Sequence, residues 1–135
     1  MAITSAIATS FKVEILKGVH NFTASSGNTF NLALYTSDAS LGAATTAYTT
    51  SNEVSGSGYT AKGNALTSLI PVASSTTAVC DFADTSFTSA SFTARGCMIF
   101  NDSASGDPTV CVIDFGSDKT VTSGTFTIQF PTADA

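Results

Sequence analysis

Thr29-Phe30-Asn31-Leu32-Ala33-Leu34-Tyr35-Thr36 decides the fold class of this chain. Side chains alternate across an extended backbone, so Phe30, Leu32 and Leu34 share one face and Asn31, Ala33 and Tyr35 the other. The run predicts a half-buried strand. Thr125-Phe126-Thr127-Ile128-Gln129-Phe130-Pro131 repeats the pattern near the other end, with Phe126, Ile128 and Phe130 set against Thr125, Thr127 and Gln129. Further strands are expected at 59–69, 77–82, 91–100, 109–115 and 122–130. Asp, Ser, Gly and Pro mark a turn at 101–108, and Ser and Gly another at 117–124. Short strands joined this way predict an all-β protein, an antiparallel β-sandwich or jelly-roll-like domain.

The period differs before this region. Ile3, Ile7, Phe11 and Ile15, joined by Leu16, recur at about one helical turn; Thr4 or Ser5 can cap the start, and Gly18 stands where a helix stops. One N-terminal amphipathic helix is expected, its stripe either covering the sheet of its own domain or docking on a neighbouring subunit. Residues 37–58 are rich in Ala, Ser, Thr and Gly and longer than an ordinary strand connection. They form either a surface excursion or an interface loop. The chain reads as a single structural domain over 1–135, with an arm and helix at about 1–18 and the β-sandwich at about 29–131.

Composition bounds the partners. Hydrophobic residues make up 43% of the 135 and charged residues 11%, so the polar surface is built largely from Ser, Thr, Asn and Gly. Ten Phe, three Tyr and no Trp, with abundant Thr, favour strands. The net charge is -5, and Lys12, Lys17, Lys62, Arg95 and Lys119 are scattered. Nucleic acid is not an expected partner, because binding the phosphate backbone needs clustered cations. An anionic membrane surface is disfavoured on the same ground. The first ten residues lack the basic and apolar regions of a signal peptide, and no run is apolar enough to span a bilayer. Folding in a cytoplasm is expected, and with it little meaning for the sequons at Asn21 and Asn101.

No constellation points to catalysis. His20 is the only histidine and would have to serve any Ser-His or Cys-His mechanism; its place just past Gly18 predicts a capping or surface histidine. Gly56-Ser57-Gly58 lacks the spacing of a nucleophile elbow, and with Lys62-Gly63 it also fails the phosphate-loop pattern. Asp81, Asp84, Asp102, Asp107, Asp114 and Asp118 flank strands and follow no calcium-loop pattern, so turn and strand-end roles are expected. Cys80, Cys97 and Cys111 lie in apolar runs outside any C-x-x-C and are expected as buried, reduced thiols. With one His they make a poor zinc set. Tyr35, Tyr48 and Tyr59 are expected in packing rather than in sugar stacking.

Several stretches read together. They are Gly18-Val19-His20-Asn21-Phe22, then 29–36, then Tyr48-Thr49-Thr50-Ser51-Asn52-Glu53-Val54-Ser55-Gly56-Ser57-Gly58-Tyr59. Phe92-Thr93-Ala94-Arg95-Gly96, Ile99-Phe100-Asn101-Asp102 and Ile113-Asp114-Phe115-Gly116-Ser117-Asp118-Lys119 follow. This order resembles a family of small virion structural proteins of tailed bacteriophages, over about 11–131. Cys80-Asp81-Phe82 departs from it, a Trp being expected there in relatives. The resemblance implies a non-enzymatic virion protein with no catalytic residues, no cofactor and no metal. It leaves the place in the particle open; a capsid decoration or cement protein on the capsid exterior, synthesised in the host cytoplasm, is expected, since a small, acidic, β-rich domain with a neutral surface suits bridging capsomers. Its partners would be the major capsid protein and copies of itself in a homotrimer. The alternative is a tail or baseplate component, including a receptor- or glycan-binding one.

Overall fold

The structure, a computed structural model, describes residues 2–133. Residue 1 and residues 134–135 of the expected single domain lie outside the described residues. The elements are β1 (Ala6–Ile7), α1 (Thr9–Leu16), β2 (Phe30–Tyr35), β3 (Asn64–Ala65), β4 (Val72–Ser74), β5 (Thr77–Val79), β6 (Thr85–Asn101) and β7 (Thr109–Ile128). The chain is mostly β and its sheets are antiparallel, as the alternating runs predict. A five-stranded sheet has the order β1-β7-β6-β2-β3, and β4 and β5 form a separate hairpin.

The long hairpin β6–β7 is the frame. Its turn lies in the expected 101–108 segment, where the Asn101 side-chain oxygen accepts from the Ser103 and Ala104 amides and Asn101 N–H donates to the Pro108 carbonyl. An asparagine that binds amides two and three residues on holds a turn locally. The second expected turn, at 117–124, does not form. β6 is seventeen residues long, reaching back to Thr85, and pairs with both halves of the chain on either side of that segment. The Gly and Ser that suggested a turn sit at breaks in register instead. The pairing slips between Ala94 and Gly96 opposite 114–119, where Gly116 has φ +80°, and again around Ser89 and Ser123, both at positive φ. Bulges absorb extra residues and bend the strand without reversing it.

β2 corrects the half-buried expectation: all six of its residues are buried. Phe30, Leu32 and Leu34 join Cys97 and Ile99 of β6 under Val54, Leu66 and Phe82. Ala33 and Tyr35 join Met98, Phe100 and Val112 on the opposite face, which Ile3, Ala39, Leu41 and Tyr48 cover. Residues 39–48 therefore cover the second face of the core from within the chain, while Val54 reaches back over the first. The strand expected at 59–69 shrinks to β3, because Tyr59 turns into the core and 59–63 departs from the ladder.

The N-terminal expectation changes more. The helix begins at Thr9 after Ala8, with no side-chain cap, because residues before it are extended. Ile3 bridges Leu41, and β1 pairs with Val112 and Cys111 of β7. Ser5 accepts the Asp114 amide rather than capping the helix. The stop at Gly18 holds. Gly18 has φ +70°, and the Gly18 and Val19 amides donate to the carbonyls of Ile15 and Glu14, a glycine-terminated helix end. The expected stripe does not bury: Phe11 packs on the core while Val13, Ile15 and Leu16 are exposed.

Candidate functional site

Two polar clusters bring together most of the residues that chemistry would use. The first is centred on Glu53, the lone acid between Asp38 and Asp81. Its backbone bridges Tyr35 at the edge of β2, and the neighbouring Val54 amide donates to the Leu34 carbonyl at 2.9 Å. That anchorage aims the carboxylate between two tyrosines. Tyr48 Oη donates to Oε2 at 2.6 Å, Tyr59 Oη donates to Oε1 at 2.6 Å, and the Lys62 amide donates to Oε1 at 2.8 Å. Tyr59 Oη also accepts the Leu34 amide at 2.9 Å, and Tyr35 Oη donates to the Thr49 carbonyl at 2.7 Å. Burial and the Glu53 charge together push all three phenols up, Tyr48 to about 12.

Lys62 ties this loop to the β6–β7 turn. Its Nζ lies 2.7 Å from Asp102 and 2.8 Å from Asp107, and those carboxylates raise its pKa. It also stands 5.7 Å from the Tyr48 ring centroid, and that ring stacks on Phe100 at 4.7 Å. Gly56-Ser57-Gly58, beside the carboxylate, is a backbone clamp: Ser57 bridges Ser91 of β6. A Cβ on Gly58, whose φ is +77°, would meet the Thr88 carbonyl oxygen at 2.6 Å, and one on Gly56 would strike the Ser91 carbonyl. Only glycine permits that approach.

The second cluster surrounds His20, which is neither capping nor on the surface. Its side chain is fully buried among Phe11, Phe22 and Phe30, with ring centroids 4.9, 6.4 and 6.2 Å away. The Asn101 amide nitrogen lies 3.1 Å from Nδ1, and Glu14 Oε1 lies 3.3 Å from Nε2. Because Asn101 Oδ1 is occupied by two backbone amides, its nitrogen must donate to Nδ1, so the histidine proton sits on Nε2 and donates to Glu14. Asn101 also donates to Asn28 Oδ1 at 3.0 Å and is wholly buried, which removes it as a glycosylation acceptor. Both ring nitrogens are committed to joining α1, the 20–28 segment and β6.

The remaining candidates are dispersed. Arg95 lies 3.3 Å from Asp114 and 3.2 Å from Asp118, spanning the bulge in β7. Asp118 first, then Asp114, raise the Arg95 pKa. Asp81 accepts the Phe82 amide and Asp84 the Phe130 amide, both strand-end roles. Cys97 is buried and Cys111 partly so, and burial pushes their thiols up, Cys111 to about 11. Cys80 is exposed, against the expectation of burial, because β5 ends at Val79 and leaves it outside the sheet. No group of three His, Cys, Asp or Glu side chains among the described residues could hold a metal ion. No helix among them is long and apolar enough to cross a membrane.

Sequence reasoning picked out the 48–59 stretch but not Glu53 as its hub. The available signal was isolation: one acid and, in Lys62, one base in a long uncharged stretch holding two tyrosines. Comparison of the chain with protein-family models, curated proteins and solved structures finds no match.

Proposed function

We propose that this chain is a non-enzymatic structural protein of a tailed-phage particle, a capsid decoration or cement protein that stabilises the head by bridging capsomers. The observation that carries the reading is the order of motifs from Gly18 to Lys119 that resembles small virion proteins. What supports it is the work their polar residues do: Glu53, Lys62, Asp102, Arg95 and His20 all hold segments of the fold together. The exposed side chains of the long hairpin are largely uncharged Ser and Thr, which are cheaply desolvated in a protein contact. In this reading hairpin β4–β5 and residues 37–63 complete a sandwich over the main sheet. The protein binds the major capsid protein from the capsid exterior as a homotrimer at three-fold positions, after synthesis in the host cytoplasm. It acts by mass action, since a protein that binds only the assembled shell stabilises it in proportion to the logarithm of free concentration over dissociation constant.

Immunogold labelling of intact particles, with a copy count against the major capsid protein, tests the proposal. Abundant label over the head is expected. Sparse label confined to the tail would overturn the head placement in favour of a tail or baseplate component, and glycan-array binding by the purified protein would point to receptor attachment.

A further inference from the structure

β7 is twenty residues long, yet its outer edge is covered only near its start, where the Ala8 amide donates to the Val110 carbonyl and Ser5 accepts the Asp114 amide. β1 pairs at Val112 and Cys111; from Gly116 to Ile128 the strand pairs, among the described residues, with β6 alone. The opposite edge of the same ribbon is covered, since Ser57 bridges Ser91 and the Asn64 side chain donates to the Ser86 carbonyl. Soluble proteins blunt a long open edge with charge, proline or bulges. Between Lys119 and Pro131 this edge has neither charge nor proline, and its bulge lies at Ser123.

The direction of the free amides follows from one bond. Phe130 N–H donates to Asp84, which immediately precedes β6, so it points toward that strand. Alternation along the strand then turns the N–H groups of Thr125, Thr127 and Gln129 outward. Phe126, Ile128 and Phe130 stay half-buried along the same edge. Two open, mainly apolar clefts flank them: one of about 430 Å³ bounded by Phe115, Phe126 and Ile128 with Lys119 at its side, and one of about 370 Å³ bounded by Cys111, Ile113 and Phe130 with Asp81 at its side. A strand laid on this edge would find main-chain partners and apolar recesses together, the two ingredients of recognition by strand addition.

We infer that the occupant is a second copy of this chain, whose β7 pairs antiparallel with the first across a two-fold axis. Identical edges related by a two-fold match in length and opposing polarity, and the contact closes instead of propagating. No like charges meet within 120–130. The apolar rows of both copies are covered in one step, whereas a single foreign strand would cover one. The inference goes beyond the virion reading and does not rest on it, because it concerns the free protein in solution; a chain that joins the shell as a homotrimer at three-fold positions first leaves this two-fold contact.

Sedimentation velocity of the full chain over a concentration series, with hydrogen exchange at low and high concentration, tests it. A reversible dimer is expected, with Thr125 and Thr127 amides exchanging at least tenfold more slowly as dimer forms. Thr127→Pro removes an outward donor while sparing the β6 ladder, and is expected to weaken the dimer at least tenfold. The exchange measurement on the unaltered chain decides the matter if that variant fails to fold. A monomer at every concentration overturns the inference, as does a dimer in which Thr125 and Thr127 exchange at unchanged rates. Protection that appears only when phage heads are added overturns it too, assigning the edge to the shell.

Discussion

The two halves of the β6–β7 hairpin are made of the same strands and live in different surroundings. Near its turn, 96–101 and 109–112 are flanked by β2 and β1 and covered on both faces, so Met98, Phe100 and Val112 are buried. Beyond the Arg95 bulge, 85–94 and 119–128 form a two-stranded ribbon with one covered face. There β6 buries Phe87 and Phe92 under Tyr59, while Phe126 and Ile128 of β7 are only half-covered. Isolated two-stranded ribbons are marginal in water. The far half therefore depends on the 53–64 loop, and the near half on the sheet itself.

Truncation should separate the halves most clearly. Phe100→Ala, at a fully buried ring stacked on Tyr48, is expected to cost about 3–5 kcal/mol. Phe126→Ala should cost less than half as much, because the ring is already partly in water. Equal losses in urea unfolding would erase the distinction. Glu53→Gln tests the loop that serves both halves; weakening hydrogen bonds to a charged acceptor is expected to cost about 2–3 kcal/mol. Gly58→Ala should cost about 1–3 kcal/mol through backbone strain at positive φ. The added Cβ also presses on Thr88 and Ala90, so faster hydrogen exchange should appear first at 85–94 and leave 96–101 protected.

Tyr48→Phe should have the smallest effect at neutral pH, about 1 kcal/mol for one hydrogen bond. It should also change the alkaline limb. Tyr48 is pushed up to about 12 in the folded state from an ordinary value of 10.0, so the folded protein holds that proton more tightly than the unfolded chain. The resulting stability is complete below pH 10 and is lost as pH rises through about 12. The variant should flatten the fall in urea midpoint between about pH 10 and 12, measured at about half-unit steps. An unchanged slope would remove Tyr48 from the linkage.

Legibility in the sequence tracked how local the cause was. The 30–35 alternation, the 101–108 turn and the stop at Gly18 each follow from a few adjacent residues, and each appears in the structure. The 117–124 segment misled because Gly and Ser serve a bulge as well as a turn, and only the reach of β6 back to Thr85 selects between them. Ile3 and Ile7 keep helical spacing while occupying an extended segment, because Leu41 and β7 offer strand partners that periodicity cannot register. The 48–59 stretch stands out in the sequence, but nothing in it shows why Glu53 stands there, because its partners Tyr59 and the Lys62 amide reach it only through the fold.

Composition and alternation, which are properties of neighbouring residues, determined that this protein is antiparallel and mostly β, with a surface poor in charge. Tertiary structure alone decided the rest. It buried His20, set Tyr48 and Tyr59 on one carboxylate, folded residues 39–48 over the second face of β2 and left the edge of β7 open. Each of these depends on which distant segments meet, and strand pairing is settled by the burial of whole faces, not by any single segment's preference.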